Sequence, residues 1–296
     1  MARRSRLSAV VLVLVLVLGA CGSSKKTAAG SSGGGSLFAK LPSSIQSSKE
    51  IKAGSDIEYA PIEFFKEGTQ QTQGVDFDLA QAMGKKLGVK VTFIDDTDFA
   101  GIIGALQAGR FDVIMSAMND NPDRRGKGVD FVDYFNAGSS ILVQKGNPKA
   151  IKTVDDLCGQ TAAVQKGTTQ DTDILTPQEP KCQTAGKPLN VLRFEKDTDA
   201  LQQVKNGRAV VNLEDFPVAA YNAQTSGGGK DFDVVPGQVG VQGSYGIAVP
   251  KANTQLRDAL QAGLKAVIAD GTYDQILAKW NVSAGALKTA AINGGS

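Results

Sequence analysis

From about residue 50 onward, short β-like runs alternate with stretches whose apolar residues recur at helical spacing. Residues 51–56 predict a strand. Val75–Leu87 predicts a helix, because Leu79, Met83 and Leu87 follow one another at four-residue steps and share one face. Lys90–Ile94 predicts a strand, 100–108 a helix and 111–117 a strand. The second half repeats the alternation. Strands are expected at Thr161–Gln165, Asn190–Phe194, 209–213 and 232–235, and helices at Val154–Leu157, 169–175, 198–206 and 217–223. Two closing helices are expected at 255–270 and 273–280. The pattern is that of an α/β fold. Residues 141–145, and the glycine-rich 239–245 that runs into a strand at 246–249, look like two extended crossings between lobes. Periodicity alone says only α/β.

The N-terminus reads differently. Arg3, Arg4 and Arg6 precede a mainly apolar run of 14 residues, 7–20. That run is short of the ~20 residues a spanning helix needs, and residues 1–20 are expected to be a signal peptide. It ends Leu18-Gly19-Ala20-Cys21, which resembles a bacterial lipobox, making Cys21 the expected lipidation site. Acyl chains there would anchor the protein to the outer face of the cell membrane, at ~0.8 kcal/mol per buried methylene. Residues 21–48 are mostly Ser, Gly, Lys and Ala and are expected to be a flexible tether, since few large apolar side chains are present to offset ordering entropy.

Composition narrows the chemistry. The 32 Lys and Arg exceed the 30 Asp and Glu, but three of the arginines lie in the leader, leaving 29 against 30. No basic excess points to nucleic acid. The chain has no histidine, so histidine triads, histidine-ligated zinc and histidine general bases are impossible. No Walker A pattern or dinucleotide fingerprint occurs, and no cofactor or metal is implied. Cys158 and Cys182, an even pair in an exported chain, are expected to form a disulfide.

The residues themselves resemble a known family. Ser55-Asp56-Ile57-Glu58-Tyr59-Ala60-Pro61 is similar to the opening strand and loop of the family 3 bacterial solute-binding proteins for polar amino acids. Matching segments follow in order: Gly74-Val75-Asp76-Phe77-Asp78-Leu79-Ala80, Asp98-Phe99-Ala100-Gly101-Ile102-Ile103, Phe111-Asp112-Val113-Ile114 and Val129-Asp130-Phe131. Later come Val164-Gln165-Lys166-Gly167-Thr168-Thr169, Asp215-Phe216-Pro217, Tyr245-Gly246-Ile247-Ala248-Val249 and Asp270-Gly271-Thr272-Tyr273-Asp274. The resemblance implies a two-lobed periplasmic-binding-protein fold of type II with a double-strand hinge. Lobe 1 would be 49–143 and 243–296, and lobe 2 would be 144–242, stapled by Cys158 and Cys182. It also implies a monomer that captures an amino acid by hinge closure and presents it to the permease and ATPase subunits of an ABC importer.

An amino acid enclosed between lobes needs a partner for its carboxylate, its ammonium and its side chain, because a buried unpaired charge costs several kcal/mol. The resemblance places Arg124 on the carboxylate, where a planar guanidinium can grip both oxygens. Thr168 and Thr169, opening a helix after Gly167, can add backbone N–H groups. Asp215 would take the ammonium. Tyr59 and Phe99 would bracket the ligand, and Asp56 would meet its side chain or amino group. After the third strand this chain has Ala117, Met118 and Asn119 where many relatives carry hydroxyl residues, so Ala117 offers only backbone. Asn119 can still donate or accept. Asp56, Glu58 and Glu214 make the expected site acidic and Gln165 is neutral, which favours a polar or basic amino acid over an acidic one. Two alternatives stay open: a dehydratase-like enzyme on the same fold, with Glu214 as acid, or an amino-acid sensor without transport.

Overall fold

The computed structural model describes residues 37–95 and 98–295. The leader, Cys21 and the tether as far as residue 36 lie outside the described residues. The expectation of a tether to residue 48 is corrected. Leu37–Lys40 forms a 3-10 turn and α1 (Ser43–Ser48) follows, with Leu41 and Ile45 buried in the core. Leu37 and Phe38 pack beside these two buried side chains, and together they seat the segment on the core.

The first half builds β1 (Glu50–Gly54), a small antiparallel sheet of β2 (Glu58–Tyr59), β3 (Glu63–Phe65) and β4 (Thr72–Gln73), then α2 (Val75–Leu87) and β5 (Lys90–Ile94). It continues through α3 (Ile102–Gln107), β6 (Val113–Ile114), α4 (Pro122–Gly126) and the 16-residue β7 (Val129–Gln144). The second half adds β8 (Thr161–Gln165), α5 (Thr176–Thr184), β9 (Asn190–Phe194), α6 (Asp197–Lys205), β10 (Val211–Asp215), α7 (Phe216–Thr225) and β11 (Phe232–Val234). β12 (Val239–Pro250), α8 (Thr254–Ala269) and α9 (Thr272–Lys279) return to the first half. α2 has the predicted bounds, and its Leu79, Met83 and Leu87 are fully buried, each contributing about 1.5–3 kcal/mol.

The main sheet runs β5-β1-β6-β12-β7-β10-β8-β9, with β11 also on β7. Its two ends belong to two lobes. The first part of β7 pairs with residues 243–250 of β12, while its last part pairs with β10 and β11. The β7–β12 register slips between Val239 and Gly243, a bulge where the lobes meet. Separate apolar clusters fill the lobes: one around Leu79, Met83 and Val249, the other around Val164, Leu175 and Val211. Cys158 and Cys182 form the expected disulfide, tying α5 to the 3-10 turn Val154–Leu157 within the second lobe.

Candidate functional site

Segments of the first lobe around Asp56, Phe99, Ala117 and Arg124 and of the second around Gln165, Thr169 and Asp215 converge on one cavity. Asp56, Tyr59, Phe99, Ala117, Asn119, Arg124, Thr168, Thr169 and Asp215 all line it, so the structure brings together every expected binding residue. Glu63, Ser116, Gln165 and Gln170 line it as well. A larger groove lies beside the hinge, among Phe135, Phe216, Tyr221, Trp280 and Val282. Its lining carries one charged side chain, Lys279, whereas a zwitterion needs both signs.

Arg124 comes from α4, a one-turn helix started by Asn121, whose Oδ1 accepts the Arg124 N–H at 2.9 Å, and by Pro122. The guanidinium is buried. Nη1 donates to the Asn119 carbonyl at 2.9 Å and Nη2 to the Gly167 carbonyl of the opposite lobe at 3.2 Å. The Phe99 ring lies beneath it, 5.3 Å from Cζ to centroid. Burial lowers its pKa to about 10, which still leaves it cationic at neutral pH. Carbonyls orient the fork without neutralising it, so the cavity holds a positive charge that an anion can satisfy.

Asp215 ends β10 and precedes Pro217 of α7. As N-cap it makes no side-chain capping bond; its carboxylate faces the cavity instead. Gln170 Nε2 donates to Oδ1 at 2.9 Å, and the Tyr59 hydroxyl lies 3.2 Å from Oδ2 while accepting the Asp215 N–H at 2.8 Å. Burial raises the acid to about 6 and these hydrogen bonds hold it down, leaving it mostly ionised at pH 7. Tyr59 is thus anchored by its hydroxyl as well as offering a ring.

Asp56 follows β1, its N–H donating to Ser116 Oγ at 3.0 Å. Gln165 Nε2 donates to Asp56 Oδ2 at 2.6 Å, and Lys196 forms an ion pair with Oδ1. Burial raises the Asp56 pKa, and Lys196 opposes the rise. Ser116 Oγ donates to Glu63 Oε1 at 3.0 Å, and the Ala117 N–H donates to Asp76 Oδ2 at 3.1 Å. Ala117 adopts φ 43°, a left-handed conformation costing roughly 1 kcal/mol for a residue with a side chain. Its N–H is spent on Asp76. Burial pushes Glu63 well above the ordinary range and Asp76 to about 7.

The threonines serve through their hydroxyls: Thr168 Oγ1 donates to the Gln165 carbonyl at 2.8 Å, and Thr169 Oγ1 to Asn119 Oδ1 at 3.0 Å. The expected helix after Gly167 begins as the π-type turn Gln170–Leu175. Glu58 sits beside the cavity rather than in its lining. Its Oε1 accepts the Asp197 N–H and its Oε2 the Thr198 hydroxyl, both at 2.7 Å, so a carboxylate of one lobe caps α6 of the other. Burial, then Asp56 and Asp197, raise it to about 8.

The expected contribution of Glu214 is corrected. It points away from the cavity into the second lobe, fully buried, with Oε2 accepting from Asn222 Nδ2 at 2.9 Å, and burial raises its pKa far above the ordinary value. The alternation of side chains along β10 sends Glu214 and Asp215 to opposite faces. The acid assigned to a dehydratase-like reaction is therefore not at the site. Glu63, Ser116 and Gln170 were missed because none stands out in sequence; Gln170 directly follows the two threonines, which is the one available signal. Among the described residues no group of His, Cys, Asp and Glu is arranged to hold a metal, and no helix is long and apolar enough to cross a membrane.

Comparison with known proteins agrees with this architecture. The chain is 31% identical over 258 residues to the arginine-binding protein ArgT of Corynebacterium glutamicum, covering 87% of this chain and 82% of that one. An ancestral arginine-binding protein bound to arginine superposes with a TM-score of 0.69 at 37% identity, covering 78% of this chain and 98% of that one. The ancestral amino acid-binding protein AncCDT-1, a precursor of cyclohexadienyl dehydratase, matches at 36% identity with a TM-score of 0.69, covering 80% and 97%. Residues 51–283 match the family model, and the chain belongs to the bacterial extracellular solute-binding proteins, family 3.

Proposed function

We propose that this protein is the amino-acid-binding component of an ABC importer and that it captures a polar or basic amino acid by closing its two lobes. One observation carries the reading: a single cavity sets a buried, carbonyl-held guanidinium, Arg124, and a buried carboxylate on the opposite lobe, Asp215, beside the Tyr59 and Phe99 rings. In the complex Arg124 grips the ligand carboxylate, joined by Asn119 and the threonines, and Asp215 with the Ala117 carbonyl takes the ammonium. Asp56 and Gln165 meet the side chain. Residues 37–143 and 243–295 move as one body against 144–242, about β7 and β12. The relatives whose names record arginine support this ligand class. The Asp56 carboxylate disfavours a ligand with an acidic side chain.

The monomeric body is tethered through lipid on Cys21 after removal of residues 1–20, so that it meets its permease at the membrane. Replacing Cys21 by Ser should release the protein from membranes and abolish incorporation of labelled fatty acid. The ligand class is tested by isothermal titration against the twenty amino acids. Binding of arginine, lysine, histidine or glutamine is expected; binding of aspartate or glutamate alone, or of none, would refute the assignment.

A further inference from the structure

We infer that Lys196 is a tethered counter-ion, occupying the place on Asp56 that a positively charged ligand side chain takes, and that it thereby sets how the site chooses between cationic and neutral amino acids. The inference rests on the amino-acid reading above and adds a residue that does not itself line the cavity. Asp56 does line it, and its side chain is only 3% exposed. Both of its oxygens are occupied from the opposite lobe, one by Gln165 Nε2 at 2.6 Å and the other by the Lys196 ammonium. Gln165 is anchored further by donating to the Glu195 carbonyl at 3.0 Å. The adjacent carboxylate, Glu58, is engaged by the Asp197 N–H and the Thr198 hydroxyl. Asp56 is accordingly the acid at this end of the cavity that a ligand cation can reach, and it already has a cation.

Two positive groups cannot share one carboxylate as deeply buried as that of Asp56 without strong mutual repulsion. A guanidinium or ammonium side chain therefore has to displace Lys196. The geometry allows it: the Lys196 side chain is 35% exposed, and it stands just ahead of α6, so its ammonium can withdraw into solvent while the backbone stays in place. A carboxamide side chain brings no charge and leaves the Lys196–Asp56 pair intact. Lys196 thus penalises cationic ligands and spares neutral ones. It also ties the two lobes together, so removing it weakens closure around every ligand alike. A ratio of affinities cancels that common loss and isolates the selective effect.

The test is isothermal titration of the full chain with arginine and with glutamine, the weaker ligand measured by competition against the stronger. Wild type, Lys196→Met and Lys196→Arg are compared. In K196M the preference for arginine over glutamine is expected to rise at least tenfold relative to wild type, and in K196R, which keeps the charge, to stay within threefold. A K196M ratio that moves by less than tenfold, or toward glutamine, overturns the inference, as does a K196R ratio that follows K196M. Wild type binding neither amino acid overturns the inference, and wild type binding none of the twenty removes the parent reading as well, both distinct from an unchanged ratio.

Discussion

Carbonyl oxygens hold Arg124 in place, but they do not cancel its charge. The ring of Phe99 and the Asn119 carbonyl, both on its own lobe, fix the plane of the guanidinium before any ligand arrives, so little side-chain entropy remains to be lost on binding. Replacing Arg124 by Met should weaken amino-acid binding by about 3–5 kcal/mol, because the ligand carboxylate is then buried without a partner. Arg124→Lys keeps the charge but has no fork to span Asn119, Gly167 and the ligand, and it should recover only part of that loss. Titration of both variants with the preferred amino acid checks the order; equal affinity of R124M and wild type would show that the carboxylate lies elsewhere. Asp215 is the complementary case. Its capping position at α7 is ordinary for an aspartate, yet its side chain is turned to Gln170 and Tyr59 instead of the helix. A residue that forgoes its local hydrogen bond for a cavity is placed there by tertiary contacts, which no local spacing encodes.

Among the elements, the segment 37–48 departs most from its composition. Leu41 is fully buried and Ile45 nearly so, and Gln255 of α8 donates to the Leu41 carbonyl at 3.1 Å. Leu41→Ala should destabilise the protein by about 2–4 kcal/mol, read from the midpoint of urea unfolding. A change below about 0.5 kcal/mol would mean that the segment is only loosely seated. Elements with an undivided local signal were legible: the stripe Leu79, Met83, Leu87 defines α2, and β5, β8 and β9 have the predicted bounds. Three kinds of element were not. β7 is buried on both faces as it passes between lobes, so it shows no alternation, and only its last residues were read, as part of a crossing between lobes. The strands of the small sheet are two or three residues long, too short for a period. α5 holds Pro177 near its start and Pro180 inside, and it keeps its place through buried Gln178 and the disulfide at Cys182. The site shows the same division. Six of its nine expected residues lie in the ordered motifs and Ala117, Asn119 and Arg124 were placed by the resemblance, whereas Glu63 and Ser116 join it through the fold, and Glu214 leaves it because one step along a strand reverses the face.

At the scale of the whole molecule, closure sets carboxylates of the two lobes against each other. Glu58 of the first lobe lies over the start of α6 in the second, near Asp56 and Asp197, and burial with those neighbours raises it from 4.5 to about 8. In an open form the same side chain meets water and returns toward its ordinary value. Closing without ligand therefore takes up a proton across the window between these two values. The sign follows from linkage: a group whose pKa is higher in the closed form favours that form fully below the lower value, and the contribution is lost as pH rises toward the upper one. The ligand-free protein should become more compact as pH falls from about 8.5 to about 5.5, seen as a smaller radius of gyration in solution X-ray scattering. Glu58→Gln removes the titrating group while keeping an oxygen to accept from the Asp197 N–H, so it should flatten most of that dependence. Asp215 works in the other direction once ligand is present. Its carboxylate, at about 6 before binding, must be ionised to hold an ammonium, so affinity should decline below about pH 6 even as the empty form closes more readily. Compaction and affinity that move together with pH would rule out this division of roles, as would a Glu58→Gln variant whose scattering still changes like that of the wild type.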